Sequence, residues 1–339
     1  MNVFDFNKEG MKDTIVLADA GCIFRACFEV WKKLENRIIA EPILSVEGDY
    51  KSFKSFAKNA VCEELNLIKG DNTVVFAIDS SSWRYQYYTE YKAGRDKNQK
   101  EEVDKVAYRR AIDEVCGELS SHGIGSAKVD KAEADDIIAV MSQTIADKFG
   151  NIIIWSVDKD FNQLIDKPNV VRYNSVTKTV FVPNNCDATL VSKFDDNVER
   201  KVVDHTVSIL SKIISGDKSD NIPSILVTQG KTGKSTGIGE AGSEKIISTL
   251  AEKDYINNRD AFIDNLIADA CTYKKVERGE YESVVKENIE KNIHLMSLNI
   301  KDIDPKVVGD ISEVVSAIEF GTYVKHNSNE IEDYDFFKD

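Results

Sequence analysis

Three short apolar runs, each ending in an aspartate, constrain the fold of this chain more than any other feature of its sequence. The runs occupy residues 14–19, 73–79 and 152–158 and end in Asp19, Asp79 and Asp158. Continuous β-branched runs of this kind are typical of strands that are buried on both faces, as in a parallel sheet. The carboxyl ends of parallel strands meet at one edge, where α/β proteins gather their sites. We therefore expect the three aspartates to lie together at that edge.

Amphipathic helical patterns separate these runs, so the chain alternates between strands and helices. The helical patterns occupy residues 52–69, 103–119 and 132–148. Strand-like segments follow at 170–173 and 178–182, and helical patterns dominate from about residue 201. Since apolar stripes of helical period face a core, this alternation predicts an α/β domain in which helices cross over between parallel strands.

The length of 339 residues suits one large domain or two ordinary ones. We expect a catalytic α/β domain over residues 1–200, a helical part over 201–326 and an acidic tail over 327–339. No apolar run reaches the roughly 18 residues of a membrane helix, and the amino terminus lacks the basic and apolar regions of a secretion signal. The six cysteines have no CxxC spacing and indicate reduced thiols. We therefore expect a cytoplasmic protein with no membrane partner.

Carboxylates beyond the strand ends sit at spacings that bring them together. Asp160 follows Asp158 by two residues, so on an extended chain both side chains point the same way. In the segment that opens the third helical pattern, Glu133 and Asp136 are three residues apart and share a face, with Asp135 beside them. We therefore expect Asp160 and the acids at 133–136 to add carboxylates to the same edge of the sheet.

Asp217 and Asp220 repeat the three-residue spacing in the second half of the chain. The full constellation is Asp19, Asp79, Glu133, Asp135, Asp136, Asp158, Asp160, Asp217 and Asp220. Converging carboxylates repel strongly at low dielectric, and a divalent cation relieves the repulsion. Oxygen-only ligands favour Mg²⁺ or Mn²⁺ over zinc. Two such ions about 4 Å apart would support phosphodiester hydrolysis, although a single aspartate after a strand is more often a helix cap or a turn residue.

The order of these motifs resembles the 5′-nuclease (flap endonuclease) family, and most of all its bacteriophage members, the ribonucleases H of T-even phages. The motifs are Leu17-Ala18-Asp19, Ala77-Ile78-Asp79, Tyr91-Lys92-Ala93-Gly94-Arg95, Glu133-Ala134-Asp135-Asp136, Ser156-Val157-Asp158-Lys159-Asp160 and Gly216-Asp217-Lys218-Ser219-Asp220-Asn221. The resemblance covers about residues 13 to 300. It implies a PIN-like α/β fold with a mostly parallel sheet flanked by helices, an arch, and hydrolysis with two metal ions.

The resemblance also implies a role for each motif residue. Ligands of the first metal would be Asp19, Asp79, Glu133, Asp135, Asp136 and Asp158. Ligands of the second would be Asp160, Asp217 and Asp220, with sharing between the two sites left open. Lys92 and Arg95 would hold the scissile phosphate and act in catalysis. We expect two Mg²⁺ ions, with Mn²⁺ as a substitute.

The segment from about Trp83 to Arg110 corresponds to the family's arch. Its bases alternate with aromatic rings, a mixture that suits a threaded single strand. The nucleic-acid contacts we expect there are Arg84, Tyr91, Lys97 and Lys100. An ordinary solvated helical face is the alternative interpretation of these residues. The bases concentrated here also explain how a chain of net charge −14 could bind nucleic acid, because uneven placement matters more than the total.

Residues 236–247 resemble the family's helix-two-turn-helix, which contacts duplex phosphates. Gly237 and Gly239 would let the backbone approach the duplex phosphates. The resemblance implies a K⁺ ion between the backbone and those phosphates. The departures from the family pattern are Gly242, Ser243 and an inserted loop at 227–235. The nearby Gly-Lys-Ser at 233–235 is not a phosphate-binding P-loop, because Thr228 stands where the first glycine is required.

These features predict a structure-specific 5′→3′ exonuclease and flap endonuclease. Its substrates would be DNA with 5′ flaps or ends and RNA–DNA hybrids, and the resemblance implies removal of RNA primers during lagging-strand replication. The alternatives are a non-catalytic, structure-specific DNA-binding protein and a PIN-type ribonuclease. The presence of all nine acids and Lys92 disfavours the first, and the length and the helix-two-turn-helix disfavour the second. We expect a monomer.

The acidic, aromatic tail has two interpretations. Residues 330–339 could be a solvated end, or they could dock a sliding clamp or a single-stranded-DNA-binding protein through Phe336 and Phe337. The aromatic amino terminus, with Phe4 and Phe6, competes for that docking role.

Overall fold

A seven-stranded sheet organises the first part of the chain. The computed structural model describes residues 14–35, 44–68, 72–94, 105–145, 149–194, 197–229, 234–250 and 259–317. The strands are β1 (Thr14–Asp19), β2 (Thr73–Ile78), β3 (Ile124–Lys128), β4 (Asn151–Trp155), β5 (Val170–Asn174), β6 (Thr179–Val182) and β7 (Glu199–Val202). They are ordered β3-β2-β1-β4-β5-β6-β7, and every neighbouring pair is parallel except β5 and β6. The predicted mostly parallel sheet is confirmed, with β4 at its centre and β1 beside it.

Alternation along the strands builds a core on each face of the sheet. The helices that follow the first strands are α1 (Ala20–Glu35), α2 (Glu47–Asn66), α3 (Lys105–Leu119), α4 (Ala134–Ile145) and α5 (Ala188–Val191). Val16 and Phe76 pack with α1, α2 and α3 on one face. Leu17 and Val75 pack with α4 on the other. Continuous apolar runs are needed because both faces of these strands are buried.

The second part of the chain is helical and has its own apolar cluster. It contains α6 (His205–Ser215), α7 (Glu240–Leu250), α8 (Arg259–Lys274), α9 (Arg278–Met296) and α10 (Pro305–Ser316). Helices α6 to α9 share that cluster, which includes Ile213, Ile246 and Leu266. A hairpin of two short strands, β8 (Thr228–Gln229) and β9 (Ser235–Thr236), lies in the connection between α6 and α7.

Two expectations about this organisation need correction. The last helix, α10, does not belong to the helical part, because Ile311 and Val315 pack in the sheet core with α4. The strands also continue past residue 200, since β7 ends at Val202. Strand β7 escaped prediction because all four of its residues are exposed and charged residues dominate it. Strand β3 escaped because its sequence is IGSAK, with few apolar residues. Among the described residues, no helix is both long and apolar enough to cross a membrane.

Candidate active site

One cleft of about 1510 Å³ collects most of the predicted acids at the carboxyl edge of the sheet. Lys92 lines the cleft as well. The acids in its wall are Asp19, Asp79, Glu133, Asp135, Asp158, Asp160, Asp217 and Asp220. The ninth predicted acid, Asp136, is not in the wall. Residues from β1, β2, β4, α4 and the α6–α7 connection therefore meet at one place, as the strand topology requires.

Asp19, Asp79 and Asp158 form what we call the strand-end group. Asp19 ends β1, Asp79 follows β2 directly, and Asp158 lies three residues beyond β4. The carboxylate of Asp19 is buried and accepts hydrogen bonds from the Cys22 amide (3.1 Å) and the Ser156 hydroxyl (2.9 Å). Burial, followed by the charge of Asp79, raises the pKa of Asp19 to about 6. Like charges are thus held together here, which is the condition that a divalent cation relieves.

Gly21 is a site residue that the sequence did not reveal. A Cβ atom at this position would lie 2.7 Å from the Asp79 Oδ2 atom. A side chain at position 21 would therefore displace the Asp79 carboxylate. The glycine allows the two acids to approach, and the short Ala20-Gly21 sequence after Asp19 was the available signal.

The predicted extended arrangement of Asp158 and Asp160 is wrong. Residues Lys159–Leu164 form a 3₁₀ helix, and Asp158 is its N-cap. The Asp158 carboxylate accepts a hydrogen bond from the Asp160 amide (2.9 Å). Asp158 therefore also has the capping role that a post-strand aspartate commonly plays, and it still lines the cleft beside Asp160.

Arg84 holds Asp136 outside the cleft wall. This corrects two predictions, that Asp136 is a metal ligand and that Arg84 contacts nucleic acid. The side chains of both residues are almost completely buried. Arg84 donates to both carboxylate oxygens of Asp136, at 2.8 and 3.0 Å, and Trp83 adds a third hydrogen bond at 3.1 Å. Oxygens of Glu133, Asp135 and Asp136 do lie within 4.8 Å of one another, but proximity does not make Asp136 available as a metal ligand. Arg84, in turn, has no exposed surface with which to bind nucleic acid.

Glu133 connects the predicted arch base to the acids. Its Oε2 atom accepts hydrogen bonds from Ser82 (2.8 Å), Arg84 (3.0 Å) and the Tyr91 hydroxyl (2.9 Å). Its Oε1 atom pairs with the Lys92 ammonium. Burial alone would raise the pKa of Glu133, but the charges of Lys92 and Arg84 outweigh burial and lower it to about 2. Tyr91 is buried in this network, so the prediction that its ring contacts nucleic acid is also wrong.

The segment that carries Lys92 is fastened to the loop that carries Asp217 and Asp220. The Lys92 amide donates to the Asp220 carbonyl oxygen (2.8 Å). Asn221 donates to the Glu90 carbonyl oxygen (3.0 Å) and accepts at its own carbonyl from Tyr88 (3.1 Å). Lys92 and Asn221 both have positive φ, 57° and 59°, a backbone conformation that non-glycine residues adopt only where contacts impose it. The remaining predicted arch residues, Arg95, Lys97 and Lys100, lie outside the described residues.

Lys212 is the most important residue that the sequence reasoning missed. Its ammonium lies 2.7 Å from Asp160 Oδ2 and 2.5 Å from Asp217 Oδ2. We call Asp160, Lys212 and Asp217 the lysine-bridged group. Burial would raise the pKa of Asp217, but its hydrogen bonds with Lys212 and Ser219 lower it to about 2. The signal was a single lysine in α6, whose sequence HTVSILSKIIS carries no other residue that is fully charged at neutral pH.

The segment predicted as the helix-two-turn-helix, residues 236–247, covers the end of β9, the turn before α7 and most of α7. Gly237 and Gly239 both line the cleft, and neither has positive φ. A Cβ atom on Gly237 would lie 2.8 Å from the Cβ of Ser224, whereas Gly239 faces open space. A duplex can therefore approach the backbone closely at Gly239. Gly237, by contrast, must be small because it packs against Ser224 inside the protein.

The departures Gly242 and Ser243 are explained by helix packing. A Cβ on Gly242 would lie 2.7 Å from the Tyr273 hydroxyl of α8. The buried Ser243 hydroxyl lies 2.9 Å from that of Ser211 in α6. At the same turn, the Lys274 ammonium donates to the Thr236 carbonyl oxygen (2.8 Å).

Comparison with known proteins agrees with these motifs. The family of the 5′-3′ exonuclease N-terminal resolvase-like domain matches residues 14–194, more than half of the chain. A 5′-3′ exonuclease of Mycoplasmopsis pulmonis is 28% identical over 191 residues, which are 56% of this chain and 55% of that protein. The ribonuclease H of Enterobacteria phage T4 is 29% identical over 163 residues, or 47% of this chain and 48% of the phage protein. The chain thus spans about half the length of these relatives.

A solved structure of the T5 5′-exonuclease with zinc ions bound has a similar fold. It is 18% identical, covers 88% of this chain and 97% of its own, and superposes with a TM-score of 0.55. The likeness therefore extends beyond the matched domain into the helical part.

Proposed function

Because the chain belongs to the 5′-3′ exonuclease family, we propose that it is a divalent-metal-dependent 5′-nuclease. It acts as a structure-specific exonuclease and flap endonuclease on DNA and RNA–DNA duplexes. The observation that carries the proposal is the strand-end group, where burial and like charge raise the pKa of Asp19 to about 6. A protein that only bound nucleic acid would have no need to concentrate acids at the floor of its cleft, because phosphates repel them.

The donor atoms in the cleft fit Mg²⁺, with Mn²⁺ as a substitute. Asp19, Asp79, Asp135 and Asp158 supply carboxylate oxygens, which hard divalent cations prefer. Glu133 is not counted among these ligands, since its carboxylate is already paired with Lys92 and Arg84. It positions Lys92 beside the acids instead. A divalent cation bound there supplies an activated water and charge stabilisation for phosphodiester hydrolysis.

Lys92 contributes the cation that faces the substrate phosphate. Its ammonium lies in the cleft wall, paired with Glu133. A phosphate that enters the cleft competes with Glu133 for this ammonium. A positive charge placed there stabilises the negative charge that develops on the phosphoryl oxygens more than it stabilises the ground state. Arg95 is assigned the same role by its motif.

Duplex binding is assigned to the turn before α7. Gly239 faces open space, and the amino end of a helix such as α7 offers backbone amides to an approaching anion. The Lys274 ammonium already bonds to the Thr236 carbonyl oxygen, an atom that K⁺ would need at this turn. Binding of K⁺ there stays a prediction. Removal of RNA primers, action as a monomer, and docking of a sliding clamp or a single-stranded-DNA-binding protein by residues 327–339 also remain predictions. Those last residues lie outside the described part of the chain.

Labelled substrates test the proposed function directly. A 5′-flap duplex and an RNA-primed duplex are incubated with the protein in Mg²⁺ and in excess chelator, and a 3′-flap duplex of the same sequence is the control. We expect cleavage of the first two substrates in Mg²⁺ only, near the junction or from the 5′ end. Binding of the 5′ flap without cleavage in Mg²⁺ or Mn²⁺ would support the DNA-binding alternative instead. Cleavage of single-stranded RNA alone would support a PIN-type ribonuclease.

A further inference from the structure

The lysine-bridged group already contains a cation, and this cation belongs to the protein. Asp160 and Asp217 are two of the three acids that the sequence assigns to a second metal ion. The Lys212 ammonium lies between them, at 2.7 Å from Asp160 and 2.5 Å from Asp217. The first distance is that of a charge-assisted hydrogen bond, and the second is shorter still. The geometry therefore disagrees with a vacant second metal site.

The other carboxylate oxygen of Asp217 also accepts hydrogen bonds. Its Oδ1 atom accepts hydrogen bonds from the Ser219 amide (2.7 Å) and the Ser219 hydroxyl (2.6 Å). A divalent ion at Asp217 would have to replace Lys212 on Oδ2 or share Oδ1 with Ser219. A cation so close to an ammonium would also meet its repulsion, which is strong in a half-buried site. The ammonium must therefore leave before a second ion can bind tightly.

The structure keeps the Lys212 ammonium charged and close to the two carboxylates. It lies in the third turn of α6, whose apolar face is anchored by the buried residues Ile213 and Ile214. Its side chain is mostly shielded from solvent, with 18% exposed. Burial lowers the pKa of Lys212, but the two carboxylates outweigh burial and raise it, so the ammonium stays charged throughout the neutral range.

We infer that Lys212 is the resident counter-cation of the second acidic group. Without nucleic acid, the protein binds one divalent ion tightly, at the strand-end group. It admits a second ion only by displacing the Lys212 ammonium. This inference rests on the proposed function, since it takes the strand-end group to be a metal site. It changes the expected cofactor content from two ions to one tight ion and one conditional ion.

The number of bound ions tests the inference without any cleavage assay. Mn²⁺ binding to the substrate-free protein is measured by calorimetry and by the electron paramagnetic resonance signal of free Mn²⁺. We expect one tight site in the wild type and a second, much weaker one. In Lys212→Met, which keeps the aliphatic stem but removes the charge, the second site should tighten by about tenfold or more. Two sites of similar affinity in the wild type would overturn the inference, whether or not any variant folds.

Two further variants keep the test specific. Lys218→Met removes an equal charge from an exposed lysine in the same cleft wall and should leave both affinities unchanged. Lys212→Met combined with Asp217→Asn should lose the gained site, because the new ion needs that carboxylate. If Lys218→Met tightens the second site as much as Lys212→Met does, general charge is responsible and Lys212 is not a specific counter-cation. Failure of the proposed function would look different, since no variant would then bind Mn²⁺ tightly.

Discussion

Asp19 and Asp217, from the two acidic groups of the cleft, are in opposite electrostatic states. In the strand-end group, Asp19 accepts hydrogen bonds from the Cys22 amide and the Ser156 hydroxyl, and burial together with Asp79 raises its pKa to about 6. In the lysine-bridged group, the bonds of Lys212 and Ser219 lower the pKa of Asp217 to about 2. Both groups are aspartates in the sequence, and their residue type does not distinguish them.

The difference separates acids that await a cation from acids that already have one. Glu133 and Asp136 belong to the second kind, because Arg84 and Lys92 compensate them. Asp160 is intermediate. Burial and the charge of Asp158 raise its pKa to about 6 even though Lys212 is beside it, so Lys212 stabilises Asp217 more completely than Asp160. An acidic cluster therefore predicts a metal only where the protein supplies no counter-charge.

The largest effect is expected at the strand-end group. Asp158→Asn should lower single-turnover cleavage by about 10³-fold or more, because loss of a charged ligand removes several kcal/mol of transition-state stabilisation. Binding of a 5′-flap duplex should change little, since affinity comes mostly from phosphate contacts. Asp160→Asn, which leaves Lys212 paired with Asp217, should cost much less. If the two variants lose equal activity, the contrast between the two ends of the cleft has no functional meaning.

Lys92→Ala should come next, with a loss of about 10²–10³ in single-turnover rate. The dissociation constant should change little, because one phosphate contact among many is removed. Lys159→Ala is the matched control, since Lys159 lines the same cleft but is 71% exposed. That variant should affect binding alone, and its defect should shrink as salt rises. A Lys92 variant with weaker binding and normal cleavage at saturating enzyme would show that this ammonium is merely a tether.

The third prediction concerns stability and pH without metal. The folded pKa of Asp19 is about 6, above an unfolded value near 3.8. Its contribution to the free energy of unfolding is therefore complete below about pH 4 and is lost as the pH rises through about 6. The difference of about two units corresponds to about 3 kcal/mol. Asp160 acts in the same sense but less, because it is more exposed.

Urea unfolding at pH 5 and pH 8 measures about the upper half of this loss, because the rest occurs between about pH 4 and pH 5. In chelator, the wild type should be less stable at pH 8 than at pH 5, and Mg²⁺ should restore most of the difference. Asp19→Asn cannot ionise, so its stability in chelator should depend less on pH. An unchanged pH dependence in that variant would mean that Asp19 is not the group that destabilises the metal-free protein.

The sequence predicted the sheet and the location of the cleft because both depend on local pattern. Apolar runs such as 14–19 must be buried on both faces, and strand-end acids must share an edge. It could not predict which acids are compensated. Arg84 reaches Asp136 across 52 residues of sequence, and Arg84 also contacts the Leu295 carbonyl oxygen. Since Arg84 and Tyr91 occur in a basic, aromatic segment, composition alone assigned them to nucleic acid, whereas burial made them internal supports.

The smallest effect is expected at the duplex-binding turn, where two glycines can be compared. Gly239→Ala should leave stability nearly unchanged, because a Cβ there meets open space. It should weaken duplex binding by a modest factor, about threefold to tenfold, because a methyl group lies between the backbone and the phosphate. Gly237→Ala should instead destabilise the protein, by about 1–3 kcal/mol for an overpacked contact, since its Cβ would lie 2.8 Å from that of Ser224.

The two glycine variants are distinguished by comparing substrates at matched folded fractions. Thermal unfolding gives the stability of each variant, and fluorescence anisotropy gives its affinity for a duplex and for a single strand of the same length. Gly239→Ala should lose duplex affinity selectively, because a single strand does not dock on the turn. Gly237→Ala should lose affinity for both substrates only as far as it unfolds. If Gly239→Ala binds the duplex as the wild type does, backbone approach at this turn does not contribute to binding, and the amides at the start of α7 must act without it.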